Sequence, residues 1–411
     1  SVVANTVRWN PVEPLSGTSD DDEENSTSTR RNPTERITDT YKYQERFQQN
    51  YNVGLNWKPF KNITFRSEFG YGWKYNNTDQ VWGSNATTNS KYGYNGQPQV
   101  QFVRLENKNW RNANTLTYDN KKLFHGRDHI NVLVGQEWSS SQDVTRTNTS
   151  VAFPTSFTLN EVLANTAAGT ALPNEGNIKA EENILSYFGR INYTLNDKYL
   201  ATFTLRADGS SKFGKDNRWG LFPSAALAWR ASQENFLKGN EVINNLKFRL
   251  GWGATGNQNV QQWAYAAMLK NYTTSWGVGV MNANNANPAL KWETTYSTNV
   301  GFDLSLFNSR IDIVFDWYYK KTNDLLMMLD LPAFIGSGTG SKYGTASNPW
   351  GNVGSLENKG IEFTINTVNV ENKNFSWRSN IVFSLNRNKV VSLDTETGTL
   401  PQTLQIGSET A

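Results

Sequence analysis

Residue types that commonly carry catalysis are sparse in this chain. Its two histidines, His125 and His129, have a spacing that could hold zinc on a helix. Gly126 lies between them and a strand pattern follows, which favours a turn over a metal site. The glycine-rich Gly336–Gly340 stretch lacks the Lys-Ser/Thr ending of a phosphate loop. No carboxylate spacing marks an acid/base pair, and no histidine is placed to activate a serine. The sequence therefore predicts a non-enzyme without a metal site or cofactor.

An acidic run, Asp20 to Glu24, lies between Ser- and Thr-rich flanks. Clustered carboxylates suit calcium, a hard cation that prefers oxygen ligands. The spacing does not match an EF-hand loop, so an exposed acidic loop is the favoured interpretation and calcium remains the alternative.

Two other sets of side chains could bind a solute. Charged residues recur on one parity of the predicted strands, where ion pairs within a polar wall or contacts with a polar solute are both possible. We predict that they face a polar lumen: Arg190, Arg206, Asp208, Arg218, Arg230 and Glu293. Aromatic residues are concentrated in the predicted loops, and flat rings suit the apolar faces of sugars or peptide side chains. These candidate ligand-binding residues, for which packing within the loops is the alternative, are Trp263, Tyr265, Tyr272, Trp276, Trp82, Tyr92, Tyr343 and Trp350.

Strands in which apolar and polar residues alternate are expected to position these side chains. In the stretch 186–230, Tyr187, Ile191 and Tyr193 share one parity, whereas Arg190 lies on the other. A turn at 196–198 separates this strand from a second one with the same alternation. Successive side chains of a strand point to opposite faces, so the pattern predicts hairpins with one apolar and one polar face.

Composition fits a chain of such hairpins. The 411 residues are 37% hydrophobic and 13% aromatic, with no cysteine and a net charge of +3. The aromatic content argues against simple disorder, and the missing cysteines exclude disulfides. The small net charge gives no reason to expect a nucleic-acid partner. No run of about 18 apolar residues predicts a membrane helix, but a transmembrane barrel needs only every second strand residue to be apolar.

Short and long connections alternate along about twelve predicted strands. The long connections lie near residues 75–107, 143–183, 209–217, 253–290 and 321–357. This rhythm predicts an all-β, transmembrane antiparallel β-barrel with short periplasmic turns and long outer loops. Tryptophans near strand ends are predicted to form interfacial girdles: Trp57, Trp73, Trp138, Trp219, Trp229, Trp252, Trp292, Trp317 and Trp377.

Several long segments also carry a family resemblance. The segments are SYFGRINYTLNDKYLATFTLRADGSSKFG with RWGLFPSAALAWR, LKFRLGWGATGNQ, residues 287–326, and GSLENKGIEFTINT. In this order they resemble the SusC/RagA type of TonB-dependent outer-membrane transporter, over roughly residues 40–390.

The resemblance implies a 22-stranded barrel in the outer membrane of a Gram-negative bacterium of the Bacteroidetes, in contact with lipid. It implies an N-terminal plug, a TonB box, a SusD-like surface lipoprotein as lid, and energised uptake of oligosaccharides or peptides. The partners expected on this basis are the SusD-like lipoprotein, TonB through a segment outside this sequence, and the substrate.

The sequence departs from that pattern in three respects. It shows no plug, no TonB box and about half the expected strands. Ser1 is not followed by a basic segment and an apolar segment, so we expect no signal peptide within residues 1–411. We therefore expect residues 1–411 to be one part of a larger transporter barrel. A passive porin-like barrel and a non-transporting surface adhesin barrel remain the alternatives.

Overall fold

The computed structural model describes residues 37–87, 94–123, 128–173, 175–178, 181–274, 277–329 and 346–393. The acidic run at 20–24, the glycine-rich stretch at 336–340 and His125 lie outside the described residues.

The described chain is almost entirely strand, so the all-β prediction is confirmed. Its strands are β1 (Thr40–Phe60), β2 (Ile63–Trp82), β3 (Gln99–Leu123), β4 (Asp128–Val151), β5 (Thr170–Ala171), β6 (Glu175–Ile178), β7 (Glu182–Leu195), β8 (Tyr199–Ser210), β9 (Trp219–Arg230), β10 (Ile243–Asn257), β11 (Leu269–Thr274), β12 (Gly277–Asn282), β13 (Glu293–Leu306), β14 (Ile311–Asn323), β15 (Leu326–Met328), β16 (Trp350–Asn352), β17 (Ser355–Glu371) and β18 (Ser376–Ser392).

Twelve of these strands follow one another through the main sheet in the order β1-β2-β3-β4-β7-β8-β9-β10-β13-β14-β17-β18. The short strands β5 and β6 both pair with β4, while β11–β12 and β15–β16 form separate two-stranded sheets. Sequence neighbours pair in antiparallel register, as in β7–β8 and β13–β14. This meander confirms the prediction of about twelve hairpin-connected strands.

The chain divides into two compact units. The first comprises residues 1–51, 70–110 and 141–181. Its described part holds the ends of β1–β4 that lie farthest from the short turns, together with helix α1 (Leu159–Ala164). A small buried cluster of Val81, Val100, Phe153 and Val162 forms its core. Thr158 caps α1 reciprocally with Glu161, whose carboxylate accepts the Thr158 N–H at 2.8 Å.

The second unit comprises residues 52–69, 111–140 and 182–411, and contributes to all twelve strands of the main sheet. Cross-strand register keeps one face apolar across neighbouring strands. One row carries Tyr199, Trp229, Phe248, Phe302, Phe315, Phe363 and Phe383. The adjoining row carries Ala201, Leu227, Leu250, Val300, Trp317, Ile361 and Leu385. Many of these side chains are exposed, which is the burial expected of a face that contacts lipid.

The opposite face is polar and carries ion pairs. Arg249 on β10 binds Asp303 on β13 at 2.9 Å and Asp316 on β14 at 3.1 Å. Gly301 is the register partner of both Arg249 and Asp316, and a Cβ at Gly301 would collide with an Asp316 carboxylate oxygen. A larger residue at 301 would therefore displace the Asp316 carboxylate.

Paired strands continue into segments where the sequence predicts long loops. β2 runs to Trp82 and β3 begins at Gln99, within the predicted loop 75–107; β4, β10 and β17 extend in the same way. Apolar alternation ends earlier than backbone pairing, because a hydrogen-bonded ladder needs only N–H and C=O groups. Polar residues such as Asn76 and Asn77 therefore lengthen the strands without an apolar pattern. Among the described residues, no helix combines the length and apolar character needed to span a membrane.

Candidate functional site

The long connections of the second unit pack around a buried cluster of their own. We call this region the loop cap, meaning residues 211–218, 258–274, 277–292 and 346–354 with the buried cluster that they contact. The cluster consists of Phe213, Phe222, Ala254, Val260, Ala264, Leu290 and Trp292. Phe213 and Leu290 are 0% exposed. The Trp292 ring lies 5.3 Å from Phe213 and 5.4 Å from Phe222, between ring centroids. The loops are thus built on a packed apolar core.

Two long connections are joined directly to each other. Ser347 donates its N–H to the Ala283 carbonyl at 2.9 Å, and Asn285 returns an N–H to the Ser347 carbonyl at 3.1 Å. The Asn352 side chain donates to the Lys291 carbonyl and accepts the Lys291 N–H, both at 2.8 Å. These bonds fix residues near 283–291 against residues 347–352. The connections near residues 283–291 and 347–352 are therefore cross-linked to each other.

A stacked aromatic pair lies on the loop cap. The Trp263 and Tyr265 rings are 5.9 Å apart with an interplanar angle of 30°. Tyr265 packs against the buried cluster, whereas Trp263 is 41% exposed. Trp263 also has a φ of 63°, a left-handed conformation that costs a bulky residue about 1–3 kcal/mol. The Asn287 N–H donates to the Ala264 carbonyl at 3.2 Å and holds the backbone between the two rings. An outward-facing indole is therefore maintained against a local energetic preference.

The structure brings together three of the predicted aromatic residues. Tyr265 and Trp350 pack against the same buried cluster, and Trp263 stacks on Tyr265. Trp82 ends β2 in the first unit. Tyr272 lies in β11, but its side chain is outside what the structure describes. Trp276, Tyr92 and Tyr343 lie outside the described residues.

Two predicted lumen-facing residues form a paired cluster on the polar face. The Arg206 Nε lies 2.7 and 2.9 Å from the two Asp208 oxygens, and an Arg206 terminal nitrogen donates to Ser186 Oγ at 2.9 Å. The guanidinium also lies 5.3 Å from the centre of the Phe188 ring. Arg206 is therefore engaged within the wall through both its charge and its flat surface.

The other residues predicted to face the lumen lie at different positions along the strands, between the loop cap and the short turns. Glu293 accepts from the Asn257 side chain at 3.1 Å and from the Leu326 N–H at 3.0 Å, next to the loop cap. Arg218 precedes β9, and its carbonyl accepts the Trp292 indole N–H at 2.9 Å. Arg230 lies near the short turn and donates to the Asp197 carbonyl at 3.3 Å. Arg190 is exposed on β7. Polar groups thus extend from the loop cap to the short turns.

The girdle prediction is wrong for Trp292, which is 8% exposed and lies inside the loop cap. It precedes the first residue of β13, so strand parity does not determine its direction. Sequence reasoning also missed Phe213, which occurs in a polar connection without periodicity.

Within the described ranges, no three His, Cys, Asp or Glu side chains come close enough together to hold a metal ion.

Comparison with known proteins agrees with this architecture. Residues 2–405 match the family model "TonB dependent receptor-like, beta-barrel". The chain is 36% identical over 300 residues to TonB-dependent receptor P3 of Formosa agariphila, covering 72% of this chain and 28% of that protein. It is 41% identical over 218 residues to TonB-dependent receptor SusC of Bacteroides thetaiotaomicron, covering 51% and 21%.

Solved structures show the same fold. The RagAB peptide importer in its closed-closed state matches with a TM-score of 0.76 and 23% identity, covering 89% of this chain and 39% of that one. This chain thus spans well under half the length of each of these three relatives. It belongs to the TonB-dependent receptor-like β-barrel family of the bacterial outer membrane.

Proposed function

We propose that this chain forms wall and outer loops of the SusC-like component of a two-protein importer for oligosaccharides or peptides. The observation that carries the proposal is the loop cap, whose cross-linked loops hold the exposed Trp263 ring, stacked on Tyr265, at the end of a membrane-spanning sheet. Similarity to SusC and the fold shared with the RagAB importer support it. Import would require parts of the protein beyond this chain, including a plug and a TonB box.

In the proposed mechanism, substrate is captured between the outer loops and a SusD-like lipoprotein, and TonB then supplies the energy for release inward. The exposed face of Trp263 would stack on an apolar sugar face or a peptide side chain. The polar sheet face would offer donors and acceptors along the path of the substrate. Arg206 and Asp208 would stabilise the polar sheet face and would not bind substrate, because they form an ion pair with each other. The family consists of receptors and transporters, and we propose no catalytic step.

Uptake by cells tests the proposal. Cells carrying the full-length protein should import labelled oligosaccharides or peptides, and import should stop when the gene or TonB is deleted. A wide, ungated conductance in planar bilayers, with uptake independent of TonB, would instead identify a passive porin. Unchanged uptake of both substrate classes with lost surface attachment would identify an adhesin. Either result overturns the proposal.

The aromatic pair makes a sharper prediction. Trp263→Ala should weaken substrate binding by about 1–2 kcal/mol, or roughly tenfold, because an exposed stacking surface is lost. Isothermal titration with the purified full-length protein measures this change. Trp219→Ala is the matched control, since Trp219 is an exposed aromatic on the apolar face, stacked on Tyr187. Equal weakening by both substitutions would exclude Trp263 as a specific contact.

A further inference from the structure

The long connections of the second unit cover one face of the sheet and leave the other face open. Next to the loop cap, the polar-face residues Ser210 and Phe222 are 0% and 7% exposed. Trp219 and Leu221, their neighbours on the apolar face, are 50% and 60% exposed. Cross-strand register places Phe222 on the same face as Arg206. The connections therefore lie over the polar face, which lines the lumen of a transmembrane barrel.

An apolar cluster attaches the connections to this face. We call three segments of the loop cap the inner loops: residues 211–218, 258–265 and 283–292. Phe213 and Trp292 of the inner loops share a buried cluster with Phe222 of β9. The Trp292 and Phe222 rings meet edge to face, at an interplanar angle of 70°. The inner loops are thus packed on the sheet and are not suspended above it.

A carboxylate at the start of β7 adds a polar attachment. A Glu182 oxygen lies 3.1 Å from Lys212 Nζ and accepts from the Gln258 side chain at 3.2 Å. The Lys212 side chain is only 14% exposed, so water screens this ion pair little. The loops also contact each other, since a Cβ at Gly214 would lie 3.4 Å from the Pro288 carbonyl oxygen. Separating the inner loops from the sheet would break this pair as well as the apolar cluster.

The hairpin formed by β11 and β12 has a different character. Leu269 and Val280 are 68% and 64% exposed, and none of the described side chains of residues 268–282 is buried. The hairpin is joined to the inner loops at its base, where the Ala283 N–H donates to the Met268 carbonyl at 2.7 Å. One connection thus contains a packed part and a projecting part.

We propose that the inner loops are a stationary constriction of the lumen, whereas the β11–β12 hairpin is the part of this connection that moves. Segments that open at low free energy have few buried contacts, as the hairpin does, whereas the inner loops have a buried core and a shielded ion pair. The inference rests on the proposed import function, because a constriction matters only where a substrate passes.

A stationary constriction limits the width of the substrate. The inner loops occupy the lumen side of the sheet, and their close-packed core does not yield to a passing molecule. An extended, unbranched oligosaccharide or peptide can pass beside them, whereas a branched or cyclic one is excluded. This selection by shape is separate from stacking on Trp263, which needs only an exposed ring.

Thiol labelling tests whether the inner loops stay in place. This chain has no cysteine, so single cysteines can be read once any cysteine elsewhere in the full-length protein is replaced. Ser210→Cys and Ala264→Cys place small side chains at positions that are 0% and 4% exposed. Val280→Cys is the matched position on the hairpin. In living cells, a membrane-impermeant maleimide should label Val280→Cys and leave the two buried cysteines unlabelled, with or without TonB.

Labelling of either buried cysteine in these cells would show that the inner loops open, and would overturn the proposal. Labelling after denaturation confirms that each thiol is present and reactive. The readout needs no transported substrate. If the cells import neither labelled oligosaccharides nor labelled peptides, the proposed function fails, whereas the labelling result still decides whether the inner loops move.

A cross-link gives an independent test. Lys215 and Ala289 are exposed and directly follow the contacting residues Gly214 and Pro288. Bridging Lys215→Cys to Ala289→Cys with a short, reducible cross-linker should leave uptake of labelled oligosaccharides or peptides unchanged. Uptake that stops on bridging and returns on reduction would mean that the inner loops must separate during import.

Loosening the inner loops tests the limit on width. Phe213→Ala removes a ring from the buried cluster. It should raise the uptake of branched relative to linear oligosaccharides, or of cyclic relative to linear peptides, by about tenfold, because steric discrimination is lost. Phe236→Ala removes the same side chain from an exposed position and should leave the ratio unchanged. A ratio that Phe213→Ala does not alter would overturn selection by width.

Discussion

The two ends of the second unit differ in whether their apolar side chains are buried within the chain. At the loop cap, the chain buries its own apolar residues, with Phe213 and Leu290 completely enclosed and neighbouring loops joined through backbone bonds. At the opposite end, which carries the short connections between strands, Phe60, Phe236 and Phe375 remain exposed. The loop cap therefore carries a buried core of its own, whereas the phenylalanines at the short connections are not covered by other described residues. Substitutions at the two ends should be detected by different measurements.

The largest effect is expected inside the loop cap. Phe213→Ala should destabilise the cap by about 3–5 kcal/mol, because it removes a fully buried ring and leaves a cavity. Hydrogen–deuterium exchange of residues 258–292 in detergent should accelerate accordingly. Phe236→Ala deletes the same side chain from the β9–β10 connection, residues 231–242, and should leave this exchange unchanged. Similar acceleration by both would mean that the two ends are not independent.

A smaller effect is expected at Trp292. Trp292→Phe keeps most of the aromatic volume but loses the indole hydrogen bond to the Arg218 carbonyl. The expected cost is about 1 kcal/mol, since that carbonyl still accepts the Ser210 N–H at 3.1 Å. Exchange at residues 210–218 measures the change. Trp219→Phe, on the lipid-facing side, should not alter it; an equal response would contradict a cap-specific role for Trp292.

The smallest effect concerns Glu234, which attaches the β9–β10 connection to Lys198, Tyr199 and Trp229. Hydrogen bonds from Lys198, Tyr199 and Trp229 lower the pKa of Glu234 to about 2, with the Lys198 contribution the largest. A lowered carboxyl pKa means that this stabilisation is complete above the usual value near 4.5 and is lost as the pH falls toward 2. A nitroxide label attached at Phe236→Cys, two residues after Glu234, should therefore gain mobility over that pH interval.

Matched variants separate this carboxyl from its neighbour. Glu234→Gln should give a label whose mobility is already increased at neutral pH and changes little below pH 4.5. Glu241→Gln should behave like the unsubstituted protein. A mobility change in the Glu234→Gln protein over the same interval as in the unsubstituted one would assign the transition to another group.

The sheet was predictable from sequence because period-two alternation is a local property. Tyr187, Ile191 and Tyr193 share an apolar parity that a single lipid-facing sheet preserves along every strand. The continuation of β2 to Trp82 was not predictable, because polar residues pair as readily as apolar ones in a backbone ladder.

The sequence identified aromatic residues in the loops as candidates for the site, but it did not predict how they pack together. Trp263 and Tyr265 were singled out as loop aromatics, but their stacking depends on Ala264 and Asn287 being joined across the loop. Phe213 lies in a polar segment and finds its partners, Leu290 and Trp292, far along the chain. Such long-range packing leaves no periodic trace in the sequence. Whether the aromatic pair binds substrate stays a prediction.

The aromatic row on the lipid-facing side runs diagonally across the bilayer. Tyr199 directly follows its short turn, Phe248 lies further from the start of β10, and Phe383 further still from the start of β18, yet all belong to one register row. Each residue of a strand advances about 3.4 Å. With strands tilted by about 40°, Phe383 should lie roughly 20 Å from the level of the turns, while Tyr199 lies at that level. The row is a descending stripe that touches headgroups at one end and the middle of the acyl chains at the other, so equivalent substitutions along it should report different membrane depths.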